Sequence, residues 1–358
     1  MTPHSVSATI ERALAAARLT RSAPALDRVT QTIRQALESA GIALPTSRMQ
    51  APGSHTPRAP GPGTRPRPGQ AEAPGTREFG THSFAIGAAS RDYKLFVPTG
   101  CADKALPLVV MLHGCKQDPD DFAAGTRMNV LAQEQGFLVA YPAQVRRANG
   151  ANCWNWFQSA QQSRGGEEAA LIAGMVGDIA QSHGVDPQRV FVAGLSAGAA
   201  MAVILGAAYP EVFAAVGVHS GLPLGAARDV PSAFAAMRNG AAARTGTALA
   251  QPMPTIVLHG DRDDTVAAVN GVQVAQHAVA AYATQGAPLK ASALPRREVQ
   301  GRDVSVTRYD DDTGRPRVEH WLLHGGAHAW SGGSDDGSYT DGRGPDASAE
   351  MLRFFLRQ

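Results

Sequence analysis

The stretch from Arg189 to Met201, RVFVAGLSAGAAM, constrains this chain more than any other. Its first half, Val190-Phe191-Val192-Ala193, is a short β-branched and aromatic run, the composition of a buried strand. Gly194-Leu195-Ser196-Ala197-Gly198 follows, and small helix-forming residues continue to about Ala208. A strand, a G-x-S-x-G pentapeptide and a helix make a nucleophile elbow, in which the chain turns so sharply that the serine backbone is strained. The flanking glycines remove side chains that would collide with strand and helix. The turn lifts the Ser196 hydroxyl above the sheet and aims the Ala197 N–H, at a helix N-terminus, where an oxyanion would form. Taken alone, the pentapeptide fits an ordinary glycine-rich turn equally well, so the rest of the chain must decide.

The surrounding pattern alternates strand and helix. Strands are predicted at 93–98, 106–112, 136–142, 190–193, 212–218, 254–258 and 318–323, and helices near 128–135, 168–183, 271–284 and 346–356. Such alternation with short connections predicts an α/β fold, a mostly parallel sheet covered by helices on both faces. Ligands on such sheets bind beyond the carboxyl ends of the strands.

Three motifs fall at those ends. After the strand at 106–112 comes His113-Gly114-Cys115-Lys116-Gln117. An HG loop in this place supplies a second oxyanion donor in α/β-hydrolases, which assigns the Cys115 N–H as partner to that of Ala197. His113 then reads as a structural histidine tying the loop. After the strand at 254–258 comes His259-Gly260-Asp261-Arg262-Asp263-Asp264-Thr265-Val266, with three carboxylates that could orient a base. Asp263 is the first choice, followed by Asp264 and Asp261. After the last strand, Gly325-Gly326-Ala327-His328-Ala329-Trp330 gives a pliable loop able to swing an imidazole toward Ser196. His320, inside that strand, and His324, at its end, read as packing or turn residues. The order Ser196, Asp263, His328 is the α/β-hydrolase order. The expected chemistry is attack of Ser196 on an ester carbonyl with His328 as base, through an acyl-enzyme and with no metal or cofactor required.

HGCKQ at 113–117, CWNWF at 153–157, GLSAGAAM at 194–201, HGDRDDTV at 259–266 and GGAHAW at 325–330 together resemble the polyhydroxybutyrate depolymerase family of esterases. The resemblance covers about 80–358, and the family's HG-x-x-D-x-x-V pattern puts the acid at Asp263. It implies hydrolysis of aliphatic polyesters or their oligomers, with relatives that cleave feruloyl or acetyl esters as the enzymatic alternative. A catalytically silent granule-binding protein is the alternative from another class. Cys115 and Cys153 belong to neighbouring family motifs, and the resemblance allows either a disulfide bracing the oxyanion loop or two adjacent thiols; Cys101 is unpaired in both cases. Trp154, Trp156 and Trp330 read either as an apolar wall for alkyl groups or as packing, and the alanine-rich insertion at 221–250 as a partial cap.

The remaining chain suggests three segments: 1–44, 45–76 and 77–358. Val6, Ile10, Leu14 and Ala17, and then Leu26, Val29, Ile33 and Leu37, line single faces of two short amphipathic helices. These read as a hairpin packed on the main domain or as stripes for an apolar surface or another subunit. From Pro45 to Thr76, 13 of 32 residues are proline or glycine, so that segment is expected to be a disordered linker. The hydrolase domain begins near Arg77 or Thr81. A net charge of +2 gives no reason to expect nucleic acid, and no apolar run reaches membrane-spanning length. The N-terminus lacks a basic segment followed by a continuous apolar block, which points to the cytoplasm and a storage-granule surface; secreted members of the family keep the extracellular alternative open.

Overall fold

The computed structural model describes residues 78–101, 105–242 and 249–358. The helices expected within 1–44, the linker expected at 45–76 and part of the 221–250 insertion lie outside the described residues. In chain order the elements are β1 (Glu78–Ile86), β2 (Ala89–Val97), β3 (Leu106–Leu112), α1 (Pro119–Thr126), α2 (Met128–Gln135), β4 (Leu138–Pro142) and α3 (Glu167–Ser182). Next come β5 (Val185–Leu195), α4 (Ala197–Ala208), β6 (Ala215–His219), α5 (Val230–Asn239), β7 (Thr255–Gly260) and α6 (Val269–Thr284). The last are β8 (Lys290–Ala293), β9 (Arg297–Val299), β10 (Arg302–Asp310), β11 (Pro316–Leu323), β12 (Trp330–Ser331), β13 (Thr340–Asp341) and α7 (Ala347–Phe355).

One sheet dominates, with strand order β1-β2-β4-β3-β5-β6-β7-β11-β10-β8, and β9 also pairing with β10. Its centre, from β4 to β11, is parallel throughout, and both flanks are antiparallel. The central strands read as unbroken apolar runs because both faces are covered. In β3, Leu108, Val110 and Leu112 enter one core while Val109 and Met111 enter the other. In β5, Val190 and Val192 face the first core, and Phe191, Ala193 and Leu195 the second. Helices α3, α4, α5 and α6 supply the first core, and α1, α2 and α7 the second.

Helix α7 illustrates how a short helix is held. Nine residues are too few for a stable isolated helix. Asp346 caps it, accepting from the Ala349 N–H at 2.9 Å, and Met351, Leu352, Phe354 and Phe355 are all buried. The Phe355 ring stacks on Phe191 of β5 at 4.9 Å. Burial of each such side chain stabilises by roughly 1.5–3 kcal/mol relative to exposure.

The predicted strands and helices of the centre occupy their expected places, with ends displaced by a few residues. Strand β1, helices α1 and α5, and the flank β8–β10 are additions. Lys290–Ala293 and Arg297–Val299 are largely exposed edge segments, so they carry little of the apolar alternation that marks a strand. Among the described residues, no helix is long and apolar enough to cross a membrane.

Candidate active site

Ser196 closes β5 and opens α4 with φ 57° and ψ −118°, a backbone conformation that an L-residue adopts only under strain. Its neighbours show why the turn must be flanked by glycine. A Cβ on Gly198 would lie 2.1 Å from the Leu112 carbonyl oxygen, and one on Gly194 would lie 2.5 Å from the Gly198 carbonyl carbon. Both contacts are with backbone, which cannot step aside cheaply. The ends of β3 and β5 and the start of α4 are therefore in direct main-chain contact. Ser196 N–H is spent on the His219 carbonyl of β6, 2.9 Å away. The N–H of Ala197, in the first turn of α4, has no helical carbonyl behind it.

The loop after β3 passes beside this turn: a Cβ on Gly114 would lie 3.7 Å from Ser196 Cβ. Buried Gln117 ties the loop, its Oε1 accepting from Gly114 N–H at 2.9 Å and its Nε2 donating to Asp121 at 2.8 Å and to the Ser338 carbonyl at 2.9 Å. Lys116, at φ 67°, sends its N–H to the Ala151 carbonyl. The Cys115 N–H takes no partner among the described residues. His113 is buried; its Nε2 accepts from Gln144 N–H at 3.1 Å, so its Nδ1–H donates to the Gly114 carbonyl at 2.8 Å. Burial pushes its pKa below the usual histidine range, in keeping with a neutral ring that ties the loop.

Beyond β7, Asp263 is buried and its Oδ2 accepts from His328 Nδ1 at 2.7 Å. Its Oδ1 accepts the N–H groups of Thr265 and Val266 at 2.9 and 2.7 Å, and His259 Nε2 stands 3.5 Å from Oδ2. Burial alone would raise this carboxyl, but the neighbouring His259 and His328 rings and the Val266 N–H outweigh it and hold the group below the ordinary aspartate range; His259 Nε2 itself donates to the Val266 carbonyl at 2.8 Å. Because the folded pKa is depressed, this arrangement adds stability above the unfolded aspartate value of about 3.9 and loses it as pH falls through the folded value. Asp264 is exposed. Asp261 pairs with a different imidazole, accepting from His324 Nδ1 at 2.9 Å and from Gly325 N–H at 2.6 Å. The structure thus brings Asp263, rather than Asp261 or Asp264, to His328.

The segment after β11 crosses the strand ends toward the serine. A Cβ on Gly260, at the end of β7, would lie 2.2 Å from the Gly326 oxygen, so loop and strand touch main chain to main chain. Five residues on, Ser331 N–H donates to His219 Nε2 at 3.1 Å, at the end of β6. His328 lies between these two anchors, and His219 also receives the Ser196 N–H. His219 is fully buried; burial first, then the neighbouring His259 and His328, drive its pKa down to about 3. It is therefore neutral and can accept at Nε2. Sequence reasoning missed His219, because a lone histidine at the end of an apolar strand carries no signal of its own.

Cys115 and Cys153 are joined by a disulfide, while Cys101 is free. Trp154, Trp156 and Trp330 are all buried. Trp154 and Trp330 are fully buried, the first donating to the His113 carbonyl at 3.1 Å, the second to Ser348 Oγ at 3.1 Å while stacking on His219. Trp156 is also buried, edge-on to Phe157. Of the two readings, wall or packing, the burial of all three indoles favours packing.

Comparison with known proteins gives the context of this geometry. The family described as Esterase PHB depolymerase matches residues 91–300, more than half of the chain. The chain belongs to this family. It is 39% identical over 185 residues to poly(3-hydroxyalkanoate) depolymerase C of Paucimonas lemoignei, covering 49% of this chain and 44% of that one. It is 35% identical over 129 residues to feruloyl esterase B of Neurospora crassa, covering 36% and 42% respectively. The chain thus spans less than half the length of these two relatives. An acetyl xylan esterase from Aspergillus awamori shares the fold, with TM-score 0.54 and 20% identity over 75% of this chain and 94% of that one. The fold is the α/β-hydrolase fold.

The backbone contact at the elbow generates a test of the site's construction. Gly198→Ala places a methyl 2.1 Å from a carbonyl oxygen, whereas Gly177→Ala, on exposed α3 surface, meets nothing within 4 Å. Thermal or urea unfolding should show Gly198→Ala destabilised by about 2 kcal/mol or more, and Gly177→Ala stabilised by roughly 0.5–1 kcal/mol. Equal stability of Gly198→Ala and the parent would mean the helix is not pinned to β3 as described.

Proposed function

We propose that this chain is a serine esterase acting on poly(3-hydroxybutyrate) or related aliphatic polyesters and their oligomers, with Ser196, His328 and Asp263 as its triad. The observation that carries the reading is the 2.7 Å bond from His328 Nδ1 to buried Asp263, on a loop that runs from β11 to the strand beside Ser196. With Nδ1–H held by Asp263, the imidazole keeps Nε2 free as base. His328 removes the Ser196 proton, the serine oxygen attacks the ester carbonyl, and the N–H groups of Ala197 and Cys115 receive the oxyanion. Two such donors stabilise the tetrahedral intermediate by roughly 3–4 kcal/mol each. The protonated His328 then gives its proton to the leaving alkoxide, and a water molecule repeats the sequence on the acyl-enzyme.

The polyester substrate is favoured by the likeness to the Paucimonas depolymerase, the stronger of the two sequence matches described. The feruloyl esterase likeness supports a second reading, an esterase for feruloyl or acetyl groups. A panel of polyhydroxybutyrate, hydroxybutyrate oligomers, feruloyl esters and acetylated xylan separates them by relative kcat/KM.

On p-nitrophenyl butyrate, Ser196→Ala and His328→Ala should each reduce turnover by about 10³-fold or more, and Asp263→Asn somewhat less, with folding intact. Asp264→Asn and Asp261→Asn should keep most of the activity. An inactive Asp264→Asn beside an active Asp263→Asn would overturn the assignment of the acid.

The proposal extends to residues 1–44 as a docking device for an insoluble polyester surface, since amphipathic stripes can bury one face at an apolar boundary. The linker at 45–76 would then act as a tether, its 32 residues reaching on the order of 30 Å. Deleting residues 1–76 should leave p-nitrophenyl butyrate hydrolysis nearly unchanged while weakening cosedimentation with polyester granules. Loss of soluble-ester activity together with a markedly lower melting temperature would instead assign these helices to the catalytic core.

A further inference from the structure

Glu168, the second residue of α3, is a carboxylate buried to 1% exposure, and nothing in the triad chemistry uses it. Its surroundings are donors. Oε2 accepts the Asn155 N–H at 2.8 Å, and Oε1 accepts Asn155 Nδ2 at 2.6 Å and Gln144 Nε2 at 2.5 Å. A buried acid surrounded by three N–H donors organises whatever carries those donors. Here they sit on two loops, 143–145 and 153–155, and both loops touch the segment that follows β3. Gln144 N–H donates to His113 Nε2 at 3.1 Å, and Gln144 Nε2 donates also to the Cys153 carbonyl at 3.0 Å. Trp154 Nε1 donates to the His113 carbonyl, and Cys153 is bonded covalently to Cys115. One carboxylate is therefore linked by a single intervening residue to His113, and through the 153–155 loop to Cys115.

We propose that Glu168 is a positioning residue for the oxyanion loop, setting the direction of the Cys115 N–H through Gln144, Asn155 and the Cys153 bridge. The proposal rests on the reading of Cys115 N–H as an oxyanion donor. Its consequence is specific. A donor aimed at an oxyanion matters when charge develops on the carbonyl oxygen and matters little to the ground-state ester. Loosening the hub should therefore lower kcat and leave KM alone. A hub that served only the stability of the fold would lower the melting temperature and leave kcat per folded molecule unchanged.

The test uses the full chain with Glu168→Gln, which keeps the size and one acceptor oxygen, and Asn155→Ala, which removes the Nδ2 donor and keeps the Asn155 N–H. Active sites are counted by fluorophosphonate titration, so a partly unfolded preparation does not mimic a slow one. For p-nitrophenyl butyrate, kcat per titrated site should fall about 10-fold or more in Glu168→Gln and by less in Asn155→Ala, with KM within about twofold of the parent. Affinity for an alkyl boronic acid, which mimics the tetrahedral intermediate, should fall in parallel with kcat. Unchanged kcat per site and unchanged boronate affinity in both variants would overturn the role of Glu168 while leaving the triad standing. Ser196→Ala in the same assay separates the two ideas: if it keeps full activity, the reading of the whole site fails and the positioning role fails with it.

Discussion

The structure depends on one close approach of backbone to backbone. Where β3 and β5 end and α4 begins, the Gly198 Cα–H lies against the Leu112 and His113 carbonyls so tightly that no side chain fits. That approach fixes the entry of α4, and with it the strained φ of 57° at Ser196. The strain is maintained by the buried surface around it. Strands β3, β5 and β6 are packed on both faces and helix α4 is buried in the first core, so relaxing the turn would disturb the packing around it.

From this fixed point the remaining functional loops are placed by neighbouring strand ends. His219, one strand over, takes the Ser196 N–H at its carbonyl and the Ser331 N–H at its ring. Gly260, two strands over, lets the base-bearing loop cross in backbone contact. The disulfide and the buried Glu168 network tie the loop after β3 to the segments beside it. Each device is a main-chain contact, a covalent bond or a buried hydrogen bond, the interactions that hold atoms to within the tolerance that proton transfer demands.

Much of this could be read from residue order. The parallel centre is legible because strands buried on both faces are apolar without interruption, and the elbow because only glycine satisfies its sterics. The choice among Asp261, Asp263 and Asp264 rests on which carboxylate turns inward toward which imidazole. Spacing leaves that open, and the family pattern and the 2.7 Å contact agree on Asp263. Strand β10 does carry the alternation of Val304 and Val306, which sequence reasoning overlooked. The short strands β8 and β9 were not legible, because exposed edge strands need little hydrophobic alternation. Nor were His219 and Glu168: each gains its role from partners at least 12 residues away in the chain. The tryptophans stay open in the sequence for a related reason. A large aromatic beside a site motif looks like a binding surface until its burial is known, and all three are turned into the protein.

The central claim is that the strained serine of the elbow is the nucleophile and that His328 activates it. Labelling the intact protein with a fluorophosphonate, followed by peptide mapping by mass spectrometry, tests this most directly. The account predicts one adduct per chain, on the peptide carrying Ser196, absent in Ser196→Ala and formed far more slowly in His328→Ala. An adduct that persists in Ser196→Ala, or one that forms on Ser196 at an undiminished rate in His328→Ala, would contradict it.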